Sequence, residues 1–342
     1  MDRRAFVIST AAAVLPWRIA FPQEVDFAEG VSRVWLPLPL AADTEWQRSL
    51  GSAWSGNAAR AEVLHDGKYG VAMLYAEWPA GHRSPRLELT SKFSTRDRTV
   101  DVSRADANAK ALSPAEHAFY TAPTEWIPTD GIVRDTARGI VKAAHSDVEK
   151  ARAIYEWVVD NTFRDPKVRG CGWGDIKTML ETGNLGGKCA DLNALYVGLA
   201  RSIGLPARDV YGVRCADSAT FRSLGKSGDI SKAQHCRAEV YLTGYGWVPV
   251  DPADVRKVVL EEPPSGLPLG DPIVKKARAK LFGAWEMNWL AYNYAHDVKL
   301  PSSESKPVPF LMYPQAETAG DRKDSLDPAA FAYKITAKEL TG

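Results

Sequence analysis

Neither sign of charge dominates this sequence: 43 Lys and Arg stand against 42 Asp and Glu. Without a net field nothing holds a polyanion, so nucleic acid is not an expected partner. Long apolar runs are also missing. Beyond the N-terminal stretch no segment approaches the roughly eighteen consecutive apolar residues that cross a bilayer, and the mature chain is expected to have no membrane span. Cysteine is scarce: the four residues Cys171, Cys189, Cys215 and Cys236 include no C-x-x-C pair, which removes the usual local spacing of a zinc framework. His65, His82, His117 and His145 sit in separate contexts without metal spacing. No metal and no cofactor is therefore expected. A zinc-dependent hydrolase would need bound metal and would lose activity to a chelator.

What is present is an ordinary globular composition, 45% hydrophobic and 25% charged over 342 residues, which implies packed cores in two or three units. Eleven Trp and twelve Tyr serve core packing in most proteins, and some could line a groove for an extended ligand. The start, MDRRAFVISTAAAVLPWRIA, places Arg3 and Arg4 before Phe6 and an apolar stretch through Leu15. A charged start and an apolar segment too short to span a membrane read as a twin-arginine export leader over residues 1–24, so the rest of the chain is expected to be periplasmic or secreted. A short amphipathic helix is the alternative. Asp2 replaces the usual Ser or Thr before the arginine pair, and Arg18 interrupts a small-x-small cleavage pattern.

From residue 25 to 110 the segments SRVWLPLPL, YGVAMLYAEW and PRLELTSKFSTRDRTVDV have strand composition broken by Gly, Pro and Asp, and predict a β-sandwich-like domain. Two helical stretches follow. Ile132, Val133, Ala137, Ile140 and Val141 share one face of the first; in the second, Asp147 is the expected cap and Ala151, Ile154, Tyr155 and Val158 recur at helical steps. A glycine-dense connector leads to GGKCADLNALYVGLARSIGLPAR, whose helix is expected over 188–203, with Gly204 as its left-handed exit and Pro206 blocking continuation. Cys189 then stands in the first turn, where unpaired amides favour a thiolate, and Lys188 beside it adds positive charge. The preceding glycines are expected to let substrate come close to the sulfur. A buried structural cysteine is the bland alternative.

A nucleophilic thiol needs a base. Alternation in HCRAEVYL puts His235, Arg237, Glu239 and Tyr241 on one face of a strand and Cys236, Ala238, Val240 and Leu242 on the other. If the following loop is Leu242, Thr243 and Gly244, His235 pairs directly with Asp251 across the hairpin. Cys189, His235 and Asp251 then take the roles of nucleophile, proton carrier and orienting anion. His296 and Asp297 are neighbours that would face opposite ways on a strand, which favours capping or surface polarity. Residues 260–272 look like a linker, and PVPFLMYPQAE and FAYKITAKEL read as late strands that could wall a groove.

These segments resemble the catalytic core of the transglutaminase-like superfamily, over about residues 111–260: Gly-x-Cys opening a helix, R-x-x-G-L-P-A-R closing it, then H-x-x-x-E-x-Y and G-W-x-x-x-D-P. The resemblance implies an α+β, papain-like fold, a helical part plus an antiparallel sheet, with Cys189, His235 and Asp251 as the triad. Before it would lie the β-rich domain, and residues 261–342 would form a C-terminal extension. It also implies a protein or peptide substrate attacked at an amide through a thioester, with hydrolysis favoured over cross-linking to an amine. A non-catalytic peptide- or glycan-binding scaffold is the rival from another class. One departure stands beside the histidine: Cys236 and Arg237 occupy positions where many relatives have Ala and Trp. The second oxyanion donor stays open among Trp173, Asn184 and the amides of the connector.

Overall fold

The computed structural model describes residues 3–13, 30–106 and 109–340. Two five-stranded antiparallel sheets face each other as a sandwich. One contains β2 (Ser32–Pro37), β4 (Arg60–His65) and β5 (Ala72–Trp78), with Gln315–Thr318 added beside β2. The other contains β1 (Arg4–Ala13), β3 (Gln47–Gly56), β6 (Arg86–Thr95) and the late strand Ala332–Leu340. Val34, Leu36, Leu74 and Trp78 of the first sheet pack on Leu87 and Leu89 of the second, as alternating side chains of two facing sheets should. The sandwich is thus built from both ends of the described chain.

Strand β1 departs from the sequence reading. Residues 4–13 were expected inside a leader, yet they pair on both edges, with β6 and with Ala332–Leu340. The physical reason is a period of two: Phe6, Ile8 and Thr10 are buried while Val7 and Ser9 between them are not. Phe6 stacks on Phe93 with ring centroids 5.3 Å apart. Residues 14–24 lie outside the described residues.

Behind this sheet lies a four-stranded antiparallel sheet in the order Gly246–Val250, Gln234–Leu242, Ala207–Arg214, Trp289–Asn293. Its rear face meets the sandwich through Val213 and Leu290 against Phe6 and Ile8. Its front face carries the helices. These are α1 (Pro114–Thr121), α2 (Gly131–Val141), α3 (Asp147–Asn161), α4 (Ile176–Thr182), α5 (Cys189–Ser202), α6 (Pro252–Glu261) and α7 (Pro272–Lys280). Cys236, Ala238, Val240 and Leu242 point into the same core as α5, as their alternation required. The cap of α3 is Ser146, not Asp147: its hydroxyl accepts from the Glu149 amide and Glu149 reaches back, a reciprocal pair that Asp147 in the first turn cannot make. Trp35, Trp78, Trp285 and Trp289 are fully buried, so much of the aromatic surplus is core.

At the far end the expected linker holds only the loop between α6 and α7. Of PVPFLMYPQAE, Gln315–Thr318 alone is a regular strand. Pro307, Pro309 and Pro314 have no amide to donate, and the stretch before residue 315 contributes only an isolated bridge between Val298 and Val308. FAYKITAKEL forms Ala332–Leu340.

Candidate active site

Helix α5 is buried from Cys189 to Arg201. Its start is fixed by Asp191, whose Oδ2 accepts the Lys188 amide at 2.9 Å and whose Oδ1 accepts those of Trp173 and Gly174 at 3.0 Å each. A Cβ on Gly172 would lie 1.8 Å from Asp191 Oδ2, and one on Gly187 would lie 2.5 Å from the Asp191 Cβ. The glycines therefore make room for this carboxylate rather than for substrate. At the other end Gly204 is left-handed at φ 86°, and the Leu205 amide returns to the Ala200 carbonyl at 3.0 Å.

The hairpin register also differs from expectation. Ala238 faces Val250 and Leu242 faces Gly246, so the loop is Thr243, Gly244 and Tyr245, with Gly244 left-handed at φ 84°. His235 consequently has no cross-strand partner at Asp251. Asp251 instead leaves the strand as the cap of α6, its Oδ1 accepting the Asp254 amide at 3.0 Å, and its Oδ2 meets His235 Nε2 at 2.8 Å. The helix start delivers the contact that the ladder does not. Both side chains are almost completely buried.

Further residues surround this pair, of which the sequence reading had noted only Arg237. Asn193, one helical turn beyond Cys189, donates from Nδ2 to the Cys236 carbonyl at 2.8 Å and to Asp251 Oδ1 at 3.2 Å. One amide thus ties the helix, the histidine strand and the acid together; the i, i+4 spacing from Cys189 was the signal available. Asp254 Oδ2 stands 3.3 Å from His235 Nε2, and its Oδ1 accepts from Arg214 at 2.6 Å. Arg237 lies over the rings of Trp285 and Trp289, with Nε 3.7 Å from Asp251 Oδ2.

Burial and the Arg214 guanidinium oppose a charge on His235, but the Asp254 and Asp251 carboxylates outweigh them and push its pKa up to about 10. Cys189 moves the other way. The neighbouring Cys171 and Cys236 thiols, and then His235, outweigh burial and hold its thiol well below the ordinary value of 9.0. Burial pushes Cys215 up instead, in the separate core behind the sheet. All four cysteines are free.

Cys189 and His235 open on one cavity of about 790 Å³. The amides of Trp173 and Gly174 are already taken by Asp191, the Trp173 ring is 64% exposed, and Asn184 Oδ1 closes a turn on the Gly186 amide at 3.2 Å. Gln234, beside the histidine, lines the cavity, is 9% exposed, and its Nε2 has no partner among the described residues.

A family model for the transglutaminase-like superfamily matches residues 134–252. An uncharacterised protein of Haemophilus influenzae is 37% identical over 328 residues, covering 92% of this chain and 88% of the relative. The chain belongs to the transglutaminase-like superfamily. Among solved structures, a protein of Cytophaga hutchinsonii described as a candidate cysteine protease superposes with a TM-score of 0.60 at 13% identity, over 100% of this chain and 92% of that one. The periplasmic domain of TgpA from Pseudomonas aeruginosa matches with a TM-score of 0.34 at 14% identity, over 75% and 88% of the two chains. The α+β architecture with a papain-like core is that of the superfamily.

Two features of this transglutaminase-like chain bear on other chemistry. His235, Asp251 and Asp254 bring one potential ligand atom each within 4.8 Å of one another. Arg214 and Arg237 already place guanidinium charge against these carboxylates, and a dication there would add like charge in a buried site. His296, expected at the surface, is buried, with Nδ1 3.3 Å from the Tyr211 hydroxyl and Nε2 3.4 Å from Asp209. Asp297 turns away to accept the Glu125 amide at 3.0 Å. No strand runs through this pair, so the alternation argument does not apply.

Proposed function

We propose that this chain is a cysteine amide hydrolase of the transglutaminase-like type, with Cys189, His235 and Asp251 as its catalytic triad. The observation that carries the reading is the 2.8 Å contact between His235 and Asp251 beside a Cys189 thiol that opens on the same cavity. The Cys189 thiolate attacks a carboxamide or peptide carbonyl. Its S–C bond forms, the C–N bond breaks, and the proton on His235 leaves with the amine. Water, deprotonated by the now neutral imidazole, then cleaves the thioester and restores thiolate and imidazolium. Asp251 orients the ring, and Asp254 with Arg214 positions it from behind. The Cys189 amide, in the first helical turn without an intrahelical partner, and Gln234 Nε2 supply the donors for the oxyanion.

Mass spectrometry with glutamine-containing peptides, with and without a primary amine, tests the acceptor. A gain of about one dalton means deamidation and fragments mean proteolysis. An amine adduct would replace hydrolysis by cross-linking. Iodoacetamide should label Cys189 far faster than Cys171, Cys215 or Cys236, and His235→Ala should abolish the difference. Equal, slow labelling of all four would favour a scaffold without catalysis.

Export by the twin-arginine route rests on Arg3 and Arg4, and the place of residues 4–13 within a sheet weighs against a leader cleaved after them. Sequencing the N-terminus of periplasmic material decides between a retained and a removed segment.

A further inference from the structure

The overall balance of charge hides a local excess. Seven cationic side chains and one carboxylate, Asp229, line the cavity in front of Cys189. Four of the cations have partners. Arg164 and Lys257 share Glu261, Arg169 pairs with Asp324, and Arg214 pairs with Asp254. The other three, Lys188, Lys226 and Lys232, meet no carboxylate within ion-pair distance among the described residues. Lys188 is half-buried beside the nucleophile, and Lys226 and Lys232 are exposed at the rim.

Tyr313, Leu326, Phe331 and Tyr333, from the late segment of the chain, bring aromatic and aliphatic surface to the same space. The cavity therefore combines apolar contact with an excess of positive charge. A concave, low-dielectric wall of one sign focuses the field into its opening and raises the local concentration of the opposite charge.

Resting on the reading of Cys189 as a nucleophile, we propose that the cavity selects an anionic acyl donor: a peptide-like amide carrying carboxylates beside the bond that is cleaved. Lysines act as point charges that need no fixed fork, which suits carboxylates at more than one spacing along an extended chain. The same field acts on the acceptor. A lysine side chain arriving as an ammonium is repelled, whereas water is not, so the charge of the site also favours hydrolysis over cross-linking.

The test uses two thiol reagents of nearly equal size that differ in charge. With either, the Cys189 thiolate displaces iodide and forms an S–C bond; iodoacetate brings a carboxylate and iodoacetamide a neutral amide. Dividing the two rates at Cys189 cancels the thiolate fraction, and 2-mercaptoethanol supplies the ratio for a simple thiol. At low ionic strength the ratio for Cys189 is expected about tenfold or more above that reference. It should fall several-fold in about 0.5 M sodium chloride, where screening extends over only a few ångströms, and again in the Lys226→Glu, Lys232→Glu double variant at low salt. A ratio at or below the simple thiol, unchanged by salt, would overturn the selection of anions while leaving a fast nucleophile intact. Slow reaction with both reagents would instead overturn the nucleophile itself, and the substrate class with it.

Discussion

Asn193 Nδ2 lies 3.2 Å from Asp251 Oδ1, one helical turn beyond the sulfur of Cys189, and the other oxygen of Asp251 meets His235. The helix of Cys189 and the carboxylate of Asp251 are therefore held in register by the Asn193 side chain. Replacing Asn193 by Ala would leave the Cys236 carbonyl and a carboxylate oxygen buried without this donor. The expected loss is about 2 kcal/mol or more of unfolding free energy, with slower alkylation of Cys189. Urea denaturation and intact-mass labelling check both.

The pH dependence of alkylation follows from the ion pair. An ordinary thiol of pKa 9.0 loses about tenfold in rate per pH unit below that value. Cys189, held well below it, should instead react at a nearly constant rate through neutral pH. Amide turnover also needs the proton on His235 and should decline as pH rises through about 10. Rates of iodoacetamide labelling and of peptide cleavage against pH separate the two limbs.

The same imidazole contributes to stability. Its folded pKa of about 10 lies above the ordinary 6.5, so its contribution is fully present below about pH 6.5 and is lost as pH rises through about 10. The difference in unfolding free energy between the native chain and His235→Gln should shrink across that interval. A difference that grew with pH would contradict the sign.

Asp254→Asn removes one of the two carboxylates that hold the proton on His235. The upper limb of the turnover profile should move to lower pH, a readout that simple loss of stability would not shift. Because Arg214 is buried and would lose its charged partner, the variant should also unfold about 3 kcal/mol more easily. Comparing the pH profile of the fraction that remains folded isolates the positioning role.

Phe6→Ala tests whether residues 4–13 belong to the working molecule. Phe6 is fully buried against Phe93, and such a truncation costs about 3 kcal/mol or more when the cavity cannot collapse. No change in unfolding midpoint would mean that the mature protein does without this strand.

The core helix was legible because its punctuation is local: Gly204 and Pro206 close it, and Cys189 opens it. That Cys189, His235 and Asp251 would come together at one site was legible from the residue types and their order, although the route from His235 to Asp251 was not. A cap that turns a chain back across a strand end has no periodicity, whereas a hairpin register can be counted, and the count came out two residues away. Asn193 was hidden inside an apolar helix, and Asp254 and Arg214 are separated by forty residues with no common motif. The strand over residues 4–13 was not legible because a short apolar stretch fits a strand as well as a leader.

Pairing of residues 4–13 with 332–340 has a kinetic side. Contacts between such distant parts of a chain slow its folding, and Tyr333, on the strand that pairs with residues 4–13, also lines the cavity in front of Cys189. A wall of the cavity in front of Cys189 thus depends on the pairing of the two ends of the described chain, whereas the helix that carries the thiol is made of local contacts.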